Sequence, residues 1–257
     1  MRQRITFACA FLTLTLLLAS AAWGLQSEDK DFHWNGKLAT DQTVTVKTIN
    51  GEIQAEPSSS GQVEVTAKAS GTYAQQVNFQ VKQEGNGITV CETYPDHDSC
   101  NGGNSRSHGN DHTRISYSIR VPGENRFTGR SVNGSIMARD LERQVSADTV
   151  NGNVKVSTKS WADAKSVNGS VEAMMGSANW TGALRLESVN GSIHVGLPAN
   201  ANADIDVRSV NGSFHSELPV VSQSFMSRHV QGRLGSGGRE LKLETVNGSI
   251  NLVKTGE

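Results

Sequence analysis

The chain is poor in aromatic residues, which make up 5% of its length, and its hydrophobic fraction is only 36%. A conventional globular core draws on Phe, Trp and Tyr, whereas a narrow repeat core can be filled by Val, Ile, Leu and Ala. Neither sign of charge dominates: 24 basic residues face 25 acidic ones. That balance argues against nucleic acid or anionic lipid as the main partner, because both call for a basic surface. Catalytic signatures are missing too: the chain has no G-x-S-x-G, no H-E-x-x-H and no G-x-x-x-x-G-K-[ST]. No catalytic residue, metal ligand set or cofactor is therefore assigned.

One long apolar run is present, and it lies at the start. Arg2 and Arg4 precede an uncharged stretch from Ile5 to Ala19, and Ala19, Ser20, Ala21 and Ala22 follow. This is the layout of a secretory signal peptide over residues 1–22, with a cut just after Ala21 or a few residues later. The run is short for a spanning helix. Cys9 sits in its middle rather than at its end, which disfavours a lipoprotein cysteine. No second run follows, so no transmembrane segment is expected in the mature chain, whose place would be the periplasm, the cell surface or the medium. Loss of Arg2 and Arg4 leaves 22 basic residues against the same 25 acidic ones, about −3.

What the chain does have is a twelve-residue block, present eight times. It occupies 44–55, 127–138, 145–156, 162–173, 184–195, 205–216, 225–236 and 241–252. Positions one and three are usually apolar, four is charged, five is mostly Ser or Thr, and six is Val or Ile. Asn-Gly follows, then a small polar residue and an apolar–polar–apolar ending. The corner asparagines are Asn50, Asn133, Asn151, Asn168, Asn190, Asn211 and Asn247, and the seventh copy has Gln231 instead. Alternation on both sides of Asn-Gly marks half-buried strands.

Asn-Gly suits a two-residue hairpin and equally a solenoid corner, with Gly at positive φ and Asn stacked from rung to rung. The position-six Val would be exposed in every hairpin, whereas a corner can turn it inward into a core column. The corner is therefore favoured, with the blocks stacked in chain order. Position four would then form a column Arg130, Asp148, Lys165, Glu187, Arg208, Arg228, Glu244, whose signs alternate at all but one step. Upstream, Val63–Ala67, Val77–Val81, Ile88–Val90 and Ile115–Val121 read as looser half-buried strands. No amphipathic helix is expected in the mature chain.

The serial V-N-G-[SN]-[IV] blocks, the stretch from Cys91 through Tyr94-Pro95 to Cys100, and Val121-Pro122-Gly123 resemble the bacterial putative-adhesin family. The likeness runs from about Phe32 to Leu252. It implies an exported single-stranded β-helix acting at the cell envelope, and it transfers no catalytic residues.

Cys91 and Cys100 form an even pair in an oxidising compartment, which favours a disulfide. The same stretch offers Cys91, Cys100, His108 and His112 as zinc donors, although the Cys–Cys gap exceeds the usual two to four residues. Free thiols are the third reading. His194 and His215 share position eleven of consecutive blocks, where a stack would bring them together on an outer face. Asn-Gly-Ser and Asn179-Trp-Thr are sequons in a eukaryotic secretory route, but turn chemistry already accounts for the Asn-Gly. Trp161 and Trp180, between blocks, cover the core or serve as sugar-stacking platforms.

The resulting expectation is an all-β solenoid of stacked Val-Asn-Gly corners with a looser β region at its N-terminal end. Residues 23–125 would form that region with its disulfide loop, and 126–257 the repeats, the two forming either separate units or one continuous domain. The function expected is a non-enzymatic surface for an envelope or extracellular partner, protein or polysaccharide. Two alternatives stand beside it: an accessory or sensor component of an envelope-stress system, and a carbohydrate-active enzyme on a β-helix scaffold.

Overall fold

The computed structural model of the chain describes residues 29–101, 112–226 and 228–256, and among these the architecture is all-β apart from one 3₁₀ turn at Ala74–Gln76. The expected signal peptide lies outside the described residues, as does His108. In chain order the upstream strands are β1 (Lys30–Gly36), β2 (Thr43–Pro57), β3 (Val63–Ser70), β4 (Asn78–Glu84), β5 (Gly87–Tyr94), β6 (His97–Asp98) and β7 (Arg114–Val121). The blocks then supply strand pairs flanking each Asn-Gly. These are β8 (Arg126–Asn133) and β9 (Ile136–Leu141), β10 (Val145–Asn151) and β11 (Val154–Thr158), β12 (Ala162–Asn168) and β13 (Val171–Met175). Next come β14 (Ala183–Asn190) and β15 (Ile193–Pro198), then β16 (Ala203–Asn211) and β17 (Phe214–Ser216). The chain ends with β18 (Val220–Met226), β19 (His229–Leu234), β20 (Glu240–Asn247) and β21 (Ile250–Thr255).

The two strands of a block do not pair with each other. The first of each block joins one parallel sheet, ordered β5, β2, β8, β10, β12, β14, β20, β16. The second joins another, ordered β7, β2, β9, β11, β13, β15, β21, β17. Asn-Gly is thus a corner between sheets. The long β2 bends across that corner and belongs to both sheets, so they run unbroken from the upstream region into the repeats. Antiparallel strands flank the stack: β4 on β5, β1 on β3 on β7, and β18 on β19 on β16.

Period-two alternation explains the core. Positions one and three point inward from the first sheet, as Val145 and Ala147 or Leu184 and Leu186 do, and position ten points inward from the second, as Ile136 and Val154 do. All are essentially fully buried in one apolar cluster. The space between sheets is narrow: a methyl added at Gly129 would already press on Ile136 and Phe127. Small residues such as Ala147, Ala162 and Ala164 therefore suit the middle rungs where aromatics would not.

Three expectations are corrected. Position six does not turn inward along the stacked corners: Val150, Val189, Val210 and Val246 are about 40% exposed, and only Ile49, with Val230 of block 225–236, is buried. Alternation simply continues to the end of the strand, which buries position five instead. Its Ser or Thr stays inside because the hydroxyl finds a carbonyl. Six of the seven corner glycines after Asn do not rely on positive φ either, since Gly51, Gly134, Gly152, Gly169, Gly191 and Gly212 lie outside that region, and Gly248 at φ 159° stands at its extended limit. A Cβ at Gly134 would instead collide with the carbonyl oxygen of Gly51, and one at Gly169 with that of Gly152.

The third correction concerns order. The last block, 241–252, lies between the rungs of 184–195 and 205–216, because β20 pairs with both β14 and β16. Block 225–236 is not a rung: its Val-Gln-Gly falls within β19, antiparallel to β16 and β18. His229 stands there where other blocks place a buried Ser or Thr, and Gln231 where they place Asn, so the corner bonds cannot form. The arrangement also removes an edge problem. The terminal block becomes interior, and an antiparallel hairpin covers the free strand.

Candidate functional surface

Each corner closes three sets of hydrogen bonds between rungs. Position-five hydroxyls donate to the glycine carbonyl of the neighbouring corner: Ser131 to Gly51 at 3.0 Å, Thr149 to Gly134 and Ser166 to Gly152 at 2.8 Å, Thr245 to Gly191 at 2.8 Å. Backbone N–H groups of Gly134, Gly152 and Gly169 donate to Asn151, Asn168 and Asn190 carbonyls at 2.9–3.1 Å. The asparagine side chains form a ladder, each Nδ2 donating to the next Oδ1. It runs from Asn211 through Asn247, Asn190, Asn168, Asn151 and Asn133 to Asn50 at 2.7–2.8 Å. Asn50 in turn donates to the Tyr94 hydroxyl at 3.3 Å. Beside the ladder run the position-six valines, so this edge alternates an amide row with an apolar row at about 4.8 Å per rung.

At the N-terminal end of that edge lies the stretch that drew attention for its cysteines. Cys91 and Cys100 are joined in a disulfide with Cα atoms 5.1 Å apart. His112 lies in the described part of the chain and is exposed, and no group of three or more metal-ligating side chains occurs among the described residues. Beneath the bridge, Glu92 is fully buried, a feature the sequence reading missed. Its carboxylate accepts from Thr48 Oγ1 at 3.0 Å, Ile49 N at 3.2 Å and Tyr117 Oη at 2.6 Å. Burial pushes the carboxyl upward, against the pull of those donors, and pushes the Tyr117 hydroxyl well above 10.0. The sequence signal available was a lone acid within an otherwise apolar strand, Ile-Thr-Val-Cys-Glu.

Residue order on the outer faces follows the corrected stack. The position-four column reads Lys47, Arg130, Asp148, Lys165, Glu187, Glu244, Arg208, His229. Arg130–Asp148 and Arg208–Glu244 pair at 3.6 and 3.9 Å, and Lys165 pairs with Glu187. Strict alternation fails at Lys47–Arg130 and at Glu187–Glu244, and Arg228 is not in the column. Arg185 stands opposite Lys242 two residues from Glu187–Glu244, so these two like pairs flank each other diagonally with opposite sign. His194 and His215 are not neighbours, because each pairs with Asn251, which stands between them. The shared metal position at these histidines is thereby removed.

The two tryptophans diverge. Trp180 is buried, and its indole N–H donates to the Glu240 carbonyl at 3.0 Å. Trp161 is half-buried, packed partly against the core, and lines a concavity on the opposite edge of the stack with Arg126, Arg143 and Asp41.

Two largely parallel sheets joined at repeated Asn-Gly corners define an all-β repeat protein. The model of the Toastrack DUF4097 family matches residues 37–253, and the chain belongs to that family. No curated protein matches it. Among solved structures, it is similar to a putative cell adhesion protein from Clostridium sporogenes, at 12% identity and a TM-score of 0.49, covering 89% of this chain and all of that one. A putative adhesin from Bacteroides fragilis aligns over the same shares at 14% identity and a TM-score of 0.42. A putative lipid binding protein from Parabacteroides distasonis aligns at 10% identity and a TM-score of 0.22, over 88% and 97% of the two chains.

Proposed function

We propose that the protein is an exported, non-enzymatic β-solenoid of the cell envelope that presents a rigid ribbed surface to an envelope or extracellular partner. The observation that carries this reading is the unbroken ladder of corner asparagines from Asn211 to Asn50, with exposed valines beside it. Such an edge is regular, stiff and not consumed by the fold's own packing, and it offers repeated contacts rather than a single pocket. In this reading residues 1–22 are a signal peptide, the rest is one continuous domain, and the corner asparagines and the disulfide are structural. The acids of the outer face stand beside bases, as at Lys165–Glu187 and Arg208–Asp206, which suits a binding surface better than a lyase or hydrolase site.

Fractionation of intact cells tests the reading. The expected product begins near Trp23, is found outside the cytosol, and recovers an envelope component when cross-linked in place. Val167→Asp with Val189→Asp should reduce that recovery while leaving the β-rich circular dichroism intact. A full-length cytosolic chain would overturn the reading.

A further inference from the structure

The edge opposite the asparagine ladder carries the loops that return each rung to the first sheet. Five successive rungs contribute to one concavity of about 250 Å³. Asp41 precedes β2, Arg126 opens β8, Arg143 and Gln144 precede β10, Trp161 precedes β12, and Thr181 precedes β14. At about 4.8 Å per rung these loops span roughly 19 Å, so the site is elongated along the stack.

Its polar groups are unspent. The Trp161 indole N–H, the Gln144 amide and the Thr181 hydroxyl make no hydrogen bond among the described residues. Asp41 lies 3.8 Å from the nearest guanidinium nitrogen of both Arg126 and Arg143, too far for hydrogen-bonded pairs. Two guanidiniums therefore face one carboxylate, with their planar donor forks available and a net positive charge between them. Asp41 itself is held at φ 64°, in the left-handed region, by its N–H donating to Glu124 O at 2.9 Å.

We propose that this groove binds an acidic oligosaccharide, a glycan carrying uronic acid or equivalent carboxylates. Trp161 stacks on a pyranose face, Arg126 and Arg143 hold a sugar carboxylate, and Asp41, Gln144 and Thr181 take hydroxyls. An aromatic platform with planar polar side chains on a rigid scaffold is what sugar recognition requires. The elongated shape favours a short chain of sugars over a free anion. This assignment rests on the binding reading above and names its ligand class.

The test is calorimetric titration of the mature protein with a galacturonic acid trimer, a neutral galactose trimer, citrate and an Asp-rich peptide. Saturable binding is expected for the acidic trimer alone, accompanied by a change in tryptophan fluorescence that disappears in Trp161→Phe. Arg126→Gln with Arg143→Gln should weaken binding about tenfold or more. Both arginines are nearly half exposed, so the thermal midpoint should not move. Absence of saturable binding, equal affinity for the neutral trimer, equal affinity for citrate or the peptide, or an unaffected double variant would each overturn the proposal. Envelope recovery of the double variant separates the two readings. If wild type and variant are both recovered while the acidic trimer does not bind, the groove assignment fails and the envelope reading stands. If neither is recovered, the envelope reading fails as well.

Discussion

At a single corner, glycine and asparagine do different work, and substitutions should separate them. Gly169→Ala forces a methyl onto the Gly152 carbonyl, with backbone on both sides and nothing flexible to yield. The expected cost is about 3 kcal/mol or more, read as a drop in the urea midpoint. Asn168→Ala loses two ladder bonds and Asn211→Ala, at the ladder's end, only one. The expected costs are about 1–2 and about 0.5–1 kcal/mol. Equal costs would mean that the ladder contributes nothing and that the turn alone selects Asn. Glu92 offers a residue-scale test in pH. Burial holds its carboxyl above the ordinary 4.5, so the folded state binds the proton more tightly than the unfolded chain. Stability from this group is full below 4.5 and is lost as pH rises through the raised folded value. Glu92→Gln removes that dependence and carries only a pH-independent offset for altered hydrogen bonds. The variant should therefore gain on wild type in urea midpoint as pH climbs from about 4 to 8. A constant difference over that range would contradict the buried, proton-holding carboxyl.

Strand identity was legible because alternation is a local signal. Positions one, three and ten of the stacked rungs carry mostly apolar residues, and those side chains are inside apart from the half-buried Phe214. The parallel corner was also expected, but on a mistaken argument: position-six Val was assigned inward because a hairpin would leave it exposed in every copy. What the residue pattern cannot display is that a neighbouring rung presents a carbonyl to the position-five hydroxyl, as Gly134 does to Thr149. Charge columns could be drawn but not ordered, since sign alternation is satisfied by several stacking sequences. The corrected order changes which variants matter. Glu187→Lys loses Lys165 as a partner but gains Glu244, so it should be nearly neutral. Lys165→Glu puts a carboxylate between Asp148 on one side and Glu187, then Glu244, on the other, so that the column becomes an unbroken acidic run. It should cost on the order of 1 kcal/mol at low salt and less at high salt, since the position-165 side chain is more than half exposed. Urea unfolding of both variants at two ionic strengths reads this directly.

Across the whole molecule, the most consequential departure from chain order is the terminal block threaded between two earlier rungs. Nothing in the block itself announces this, because LKLETVNGSINL is as good a rung as any other. The cause lies in its neighbour: 225–236 lacks the hydroxyl and the asparagine of a corner, so it pairs antiparallel and turns the chain back. The preceding rung, 205–216, is then covered by β19 on one side and leaves its other side to β20. Cross-linking distinguishes this order from a sequential stack. Position-four residues of adjacent rungs have Cα atoms about 4.8 Å apart, within the span a disulfide tolerates, whereas residues two rungs apart are about 9.6 Å apart and beyond it. Glu187→Cys with Glu244→Cys should therefore oxidise to a bridge between residues far apart in sequence, while Glu187→Cys with Arg208→Cys should stay reduced. Peptide mapping of the non-reduced mature protein reads both outcomes, with the native Cys91–Cys100 bridge as internal control. The reverse pattern would restore chain order, returning His194 and His215 to neighbouring positions and with them the shared metal position that the threaded order removes.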